Sequence, residues 1–404
     1  MSKSMKNHIS LSLLSLTMLL LPLSAQQERV NIDRAPFRNT VNRAAFGARV
    51  NSPEVADDHT VIFRLYAPEA KKVSVSGDMF RPPMTIRSME MVKNAEGIWS
   101  VKAGPFQPDL YRYTFNVDGM SFTDPSNTYV SQANMPLSSL LYVHGSGPSY
   151  YDARTDVPHG SVTTHYYYSE VTKGIRNLFV YTPPDYDTKK KFPVLYLMGG
   201  SGEVGETWWL SFNINFIMDN LLAEKKAVPM LIVLVNNQMV HRGAPNHTAV
   251  SFPLLEEEYL KCIIPLVEEK YNVIKNKHGR AISGLSMGGR HTQYVGLRNP
   301  DVFGSLGILS AAIQDADIKA LNITDDKVLL RDKSVNNQLD YLFIGAGPDE
   351  TNPKARHQLL HEQCEKAGIK HEYVIRGAAH DFVTWRELLY YNFLPGLWRT
   401  NFEN

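Results

Sequence analysis

Cysteine is almost missing from this 404-residue chain, which has two, Cys262 and Cys364. A disulfide framework is therefore excluded, and apolar burial must supply the stability. Both thiols fall in helix-like stretches, and one bridge or two free buried thiols suit the sequence equally. An excess of either charge is also lacking. The 42 Lys and Arg stand against 41 Asp and Glu, a formal net charge of +1 with no long basic run. That balance argues against a nucleic-acid partner. A membrane-spanning run is absent too. The long apolar stretch, residues 9–23, follows Lys3 and Lys6 and precedes Ser24-Ala25-Gln26. This is the layout of a secretory signal cut after Ala25, too short and wrongly flanked for an anchor, and it predicts a secreted or periplasmic protein. No Gly-x-x-x-x-Gly-Lys-Ser/Thr is found, so a phosphate cradle of that kind is not expected.

What is present reads as two domains, as the length suggests. Hydrophobic residues make up 43 % and charged residues 21 %, an ordinary globular balance. Residues 26–56 are a polar lead-in. From about Thr60 the period becomes two, with strands expected at 61–68, 72–78, 97–101 and 111–119, separated by turn signals. No helical period is seen before about residue 150, so residues 57–145 are expected to form a small immunoglobulin-like β-sandwich. A linker rich in Ser, Gly, Pro and Tyr follows over 130–165. Beyond it, over 160–404, the character switches. Strands at 176–182, 193–198, 230–236, 304–309 and 340–345 alternate with helices at 213–224, 254–271 and 353–368. Apolar strands alternating with helices predict an α/β domain, a mostly parallel sheet covered on both faces.

In the middle of that domain stands Gly284-Leu285-Ser286-Met287-Gly288. Gly-x-Ser-x-Gly is the spacing of a nucleophile elbow, a strained strand-to-helix turn whose flanking glycines leave room where backbones cross. Residues 281–283 read as the end of a buried strand, and 290–297 as a helix closing before Asn299-Pro300. Ser286 is the expected nucleophile, and the N–H of Met287 points where an oxyanion would form. The pattern predicts an α/β-hydrolase.

A serine nucleophile requires a base and an acid that orients it, in the chain order Ser, Asp/Glu, His. His291 is one turn into the elbow helix and expected to face away. His357 and His361 share a helix face, but Glu362 and Glu365 complete no recognised zinc pattern, so a solvated face is expected and no metal. His371 lies in a strand-like segment. His380 sits in a loop between a strand and the last helix, where the base of this fold belongs. The acid is expected on the loop after 340–345, where Asp349 and Glu350 are adjacent; Glu350 is preferred. Met198-Gly199-Gly200 ends an apolar strand and is expected to supply the second oxyanion donor, with Gly200 N–H preferred. Trp208 and Trp209 beyond it fit a sugar or aryl platform or plain packing equally well.

These pieces resemble a known family. Residues 192–197, Gly199-Gly200, Gly284 to Gly289, Pro300-Asp301-Val302-Phe303-Gly304, Gly345-x-Gly347, and Gly377 through His380-Asp381-Phe382 to Trp385-Arg386 are similar to the "Putative esterase" family. That family holds feruloyl esterases attached to bacterial xylanases, acetyl xylan esterases, enterochelin esterases and mycolyltransferases. The chain departs at Met198-Gly199, where the family has His-Gly, and at Glu350, where counting from Gly347 gives Glu in place of Asp. In the first domain, Phe-Arg-Leu-Tyr-Ala-Pro, Val-Ser-Val-Ser-Gly-Asp and Tyr-Arg-Tyr-Thr-Phe-Asn-Val-Asp-Gly resemble early-set domains similar to family-48 carbohydrate-binding modules. The resemblance implies a secreted esterase acting on xylan decorations, feruloyl ahead of acetyl, with no cofactor. A siderophore esterase and a carbohydrate-binding protein with a decayed hydrolase are the other readings.

Overall fold

The computed structural model of the chain describes residues 50–80, 88–131, 137–241, 243–350 and 355–399. The expected signal sequence lies outside the described residues, as does most of the lead-in. Among the described residues no helix is long and apolar enough to cross a membrane.

The first domain is a two-sheet sandwich. One sheet runs in the order Glu54–Val55, Val61–Tyr66, Ile98–Ala103, Val92–Lys93. The other pairs Ser88–Glu90 with Val73–Gly77 and then with Asp109–Val117. The far edge of that long strand is shared by Met120–Phe122 and Ser139–Val143. Val61–Tyr66 alternates buried and half-buried residues, the signature of a strand with one covered face. Val61, Phe63, Val73, Val75, Tyr113, Phe115 and Leu141 fill the space between the sheets.

The second domain carries an eight-stranded sheet. Its order is Ser161–Ser169, Gly174–Thr182, Leu231–Val235, Val194–Met198, Arg280–Leu285, Ser305–Leu309, Tyr341–Ala346, Glu372–Ile375. The first three strands pair antiparallel and the remainder pair parallel. Four of the inner strands are buried at every position, because helices cover both faces of the sheet. The elbow strand lies between Val194–Met198 and Ser305–Leu309, so its C-terminal end opens between two loop-bearing strand ends. Ligands bind in such crevices in open α/β sheets.

Two expectations are corrected and one open alternative is decided. The segment 130–165 is not only linker, since Ser139–Val143 completes the sandwich and Ser161–Ser169 begins the large sheet. The latter is an edge strand whose outward residues are exposed, Tyr166 and Tyr168 among them, so its apolar alternation is weak. The helix expected from residue 254 begins at His247, with Pro253 inside it. A proline reads as a helix boundary because it lacks an N–H, yet packing tolerates one here. Cys262 and Cys364 are both buried and free, which excludes the bridge.

Candidate active site

Ser286 adopts φ 52° and ψ −115°, a backbone state costly for any residue with a Cβ. Its surroundings impose it. The Ser286 N–H donates to Leu309 O at 2.9 Å, while helix Met287–Arg298 starts at the next residue. A Cβ at Gly284 would lie 2.5 Å from the Gly288 carbonyl carbon, and one at Gly288 would lie 2.4 Å from Gly199 O. Both motif glycines are thus required by close backbone approach. The turn lifts Ser286 to a half-buried position at the crest of the sheet. The Met287 N–H opens the following helix, whose N-terminal dipole favours developing negative charge.

The expected base and acid pair with each other, and Ser310, which holds Glu350, follows Leu309, whose carbonyl accepts the Ser286 N–H. His380 Nδ1 and Glu350 Oε2 are 2.8 Å apart. Since a carboxylate only accepts, Nδ1 carries the hydrogen and Nε2 is left as the basic nitrogen. Trp385 stands edge-on to the imidazole at 5.0 Å and holds its plane. Glu350 is itself anchored: the Gly347 N–H donates to Oε1 at 2.9 Å, and the Ser310 hydroxyl donates to the same oxygen. Ser310 in turn accepts from Trp385 Nε1 at 2.8 Å. Burial alone would raise the Glu350 carboxyl, but the bonds from His380, Ser310 and Gly347 outweigh it and hold the group below its usual range. Glu350 is therefore a carboxylate at neutral pH. Asp349 points to solvent. The choice between the two acids is decided by where the loop aims each side chain.

His291 has no part in proton transfer. It is fully buried, accepts at Nδ1 from Asn237 at 3.2 Å, and is pushed down to about 3 by desolvation. A histidine that stays neutral through the working range is a packing element here.

The oxyanion strand departs from expectation. Gly200 is close to the nucleophile, since a Cβ on it would sit 3.3 Å from Ser286 Cβ. Its N–H, however, is occupied: it donates to Glu203 Oε2 at 2.7 Å. In this conformation an oxyanion finds Met287 N–H available but meets a carboxylate at Gly200. Burial raises the Glu203 carboxyl, against the lowering pull of Arg112 and of the Gly200 N–H. The loop is tied further by Asn237, which donates to Gly199 O at 2.8 Å, and by Gln238, which donates to Gly200 O at 3.0 Å. Trp208 is also corrected: it is 1 % exposed and packs on Phe212 in the core, so it cannot form a platform. Trp209 is half-buried, tilted against Phe179 at 6.1 Å, and keeps an open face.

Residues 169–394, more than half of the chain, match the family described as "Putative esterase". The chain belongs to that family. Residues 45–132 match carbohydrate-binding module 48, described also as the isoamylase N-terminal domain. The chain is 30 % identical over 347 residues to an endo-1,4-beta-xylanase/feruloyl esterase of Xylanibacter ruminicola, covering 83 % of this chain and 44 % of that protein. It thus spans less than half the length of that relative. A ferulic acid esterase of the anaerobic fungus Anaeromyces mucronatus superposes with a TM-score of 0.53 at 23 % identity, covering 61 % of this chain and 94 % of that one. The enterobactin esterase of Shigella flexneri superposes with a TM-score of 0.61 at 18 % identity, covering 84 % and 93 %. These structures share the α/β-hydrolase fold.

In this esterase-family chain the sandwich reaches the catalytic loops. Arg112, on strand Asp109–Val117, donates through Nε to Asp78 at 2.9 Å. Its guanidinium lies 3.9 Å from the centre of the Phe382 ring, two residues past His380, and 3.6 Å from Glu203 Oε1. A second arginine crosses the other way. Arg386, from helix Phe382–Leu388, is fully buried and donates to Asp109 Oδ1 and Leu110 O, each at 2.7 Å. Sequence reasoning missed Ser310, Glu203 and Arg112. Ser310 had a weak signal, being the residue after a parallel strand at its functional end. Arg112 had none, because it belongs to the other domain.

Proposed function

We propose that this protein is an exported serine ester hydrolase that removes hydroxycinnamoyl groups, feruloyl foremost, from xylan through an acyl-Ser286 intermediate. The observation that carries this reading is the Glu350–His380 pair, 2.8 Å apart, tied through Ser310 to the strand end that accepts the N–H of the strained Ser286. The kinship with a xylanase/feruloyl esterase supplies the substrate class. His380 Nε2 takes the Ser286 proton as Oγ attacks the ester carbonyl, and Glu350 stabilises the resulting imidazolium without accepting its proton. The carbonyl oxygen becomes an oxyanion at the Met287 N–H. A donor of this kind is worth about 10²–10³ in rate. For Gly200 N–H to serve beside it, Glu203 must first release that N–H. The imidazolium then protonates the sugar oxygen as its bond to the acyl carbon breaks, and a water activated by the same nitrogen frees the acid.

The His380 side chain is 48 % exposed. A base this open accommodates an ester carried on a polymer, where a closed pocket would admit only its small fragments.

The test is an ester panel on the purified chain: methyl ferulate, feruloylated arabinoxylan, acetylated xylo-oligosaccharide and a catecholate trilactone. Ferulate release is expected to be fastest and Ser286→Ala to abolish it. Faster acetate release assigns an acetyl xylan esterase, and faster trilactone cleavage assigns a siderophore esterase. No turnover of any ester, with glycan binding retained, leaves only the carbohydrate-binding reading. N-terminal sequencing of exported protein is expected to begin at Gln26.

A further inference from the structure

Ahead of the last strand of the sheet, at the end opposite the loops that follow its parallel neighbours, lies a cluster that the ester chemistry does not use. His361 and Glu365 stand one turn apart on helix Arg356–Ala367, and their side chains therefore project from the same face. The chain leaves that helix through Gly368, in the left-handed conformation at φ 68°, and returns at once. That reversal sets His371, just before edge strand Glu372–Ile375, against His361. The nearest atoms are His361 Nδ1 and His371 Nε2, 2.8 Å apart. One donor atom each from His361, Glu365 and His371 falls within 4.8 Å of the others.

Two details fix the rings for a shared ligand. His371 Nδ1 is 2.8 Å from Ile369 O. A carbonyl oxygen only accepts, so the hydrogen is on Nδ1 and Nε2 turns its lone pair to the cluster, where it accepts from His361 Nδ1 until a cation displaces that hydrogen. A metal-bound imidazole typically has its second nitrogen tied to a backbone carbonyl in this way. The His361 ring is stacked on Tyr373 at 4.0 Å and 6°, which holds its plane toward the same point. Tyr373 is itself pinned, its hydroxyl lying 3.0 Å from His357 Nδ1.

We propose that His361, Glu365 and His371 form a structural site for a divalent zinc-type cation. Two imidazoles and one carboxylate suit zinc, with water completing a tetrahedral shell. Sequence pattern hides the site because the third ligand is delivered by the helix-to-strand reversal. The cation would clamp helix Arg356–Ala367 onto the last strand of the sheet, the edge most open to fraying. It takes no part in ester cleavage, since His371 precedes its strand whereas the catalytic loops follow theirs.

Calorimetric titration of untagged, chelator-stripped full-length protein with zinc chloride tests this. One zinc per chain is expected, with a rise in the thermal midpoint as zinc saturates. His371→Gln and the exposed Glu365→Gln should each weaken binding about tenfold or more. Ser286→Ala should bind zinc like the wild type, and the stripped enzyme should hydrolyse esters at an unchanged rate. A direct hydrogen bond between the two rings is the competing account. It predicts no stoichiometric zinc, or zinc binding indifferent to His371→Gln and Glu365→Gln, and either result overturns the site. Loss of hydrolysis on stripping overturns its structural role.

Discussion

The two domains are built by opposite rules. In the hydrolase sheet four of the inner strands are buried at every position, and the candidate site sits on loops beyond C-terminal strand ends. In the sandwich the strands alternate, and an outward-facing residue does the work: Arg112 is flanked by buried Tyr111 and Tyr113 and points away from the sandwich core. A strand with one covered face can offer the other to a partner, and here the partner is the active-site rim. The sandwich is therefore more than a tethered module. It exchanges arginines with the catalytic domain, Arg112 outward to Glu203 and Phe382, Arg386 inward to Asp109.

That contrast can be broken most severely within the catalytic loops. Glu350→Gln should lower kcat about 10³–10⁴-fold by releasing the His380 tautomer. Asp349→Asn should leave kcat within twofold of wild type, as expected for a loop charge. Equal losses in the two variants would mean that the acid is not fixed by the loop.

The joint should fail next. Arg386→Met leaves Asp109 buried beside the joint without its cation, which costs about 3–5 kcal/mol. Chemical denaturation should show both domains losing stability together. If only the hydrolase transition moves, the sandwich is an independent unit.

A smaller effect separates a brace from a participant. Arg112→Met should lower kcat about tenfold on soluble methyl ferulate, because Glu203 and the Phe382 end of the His380 loop lose a shared contact. A pure glycan-binding role for the sandwich predicts no change on a substrate without glycan.

The remaining effect lies inside the sandwich. Burial pushes the Asp124 carboxyl up to about 6, against hydrogen bonds that lower it, one of them from Tyr113 at 2.8 Å. The native state then holds a proton that the unfolded chain releases near its ordinary value, so the native state binds more protons between about pH 4 and 6. Stability contributed by this group is present below that window and lost as pH rises through it, by up to about 2–3 kcal/mol. Asp124→Asn should flatten that slope in a series of melts across the window. A wild-type melt whose midpoint does not fall between pH 4 and 6 contradicts it.

Much of the site was legible because its chemistry demands local pattern. Ser286 is forced between two glycines by backbone crowding, and His380 follows a strand and precedes a helix. Such constraints act over five to ten residues and leave a mark in the chain. Asp349 and Glu350 could not be separated by the same means, since adjacent loop residues point in directions that only the folded loop sets. Trp208 and Trp209 failed for a similar reason. Two neighbouring tryptophans on a helical turn face about 100° apart, and one is in the core while the other keeps an open face.

Short-range pattern by itself determined the sandwich, the alternating α/β domain, the serine elbow and the loop placement of His380, because periodicity and turn chemistry are properties of contiguous residues. The tertiary structure alone decided what long-range packing brings together. Among these are Ser310 behind Glu350, Arg112 of the other domain against Glu203, and His371 folded back on His361. Each joins residues whose separation in the chain carries no periodic signal, so only the fold can place them within reach.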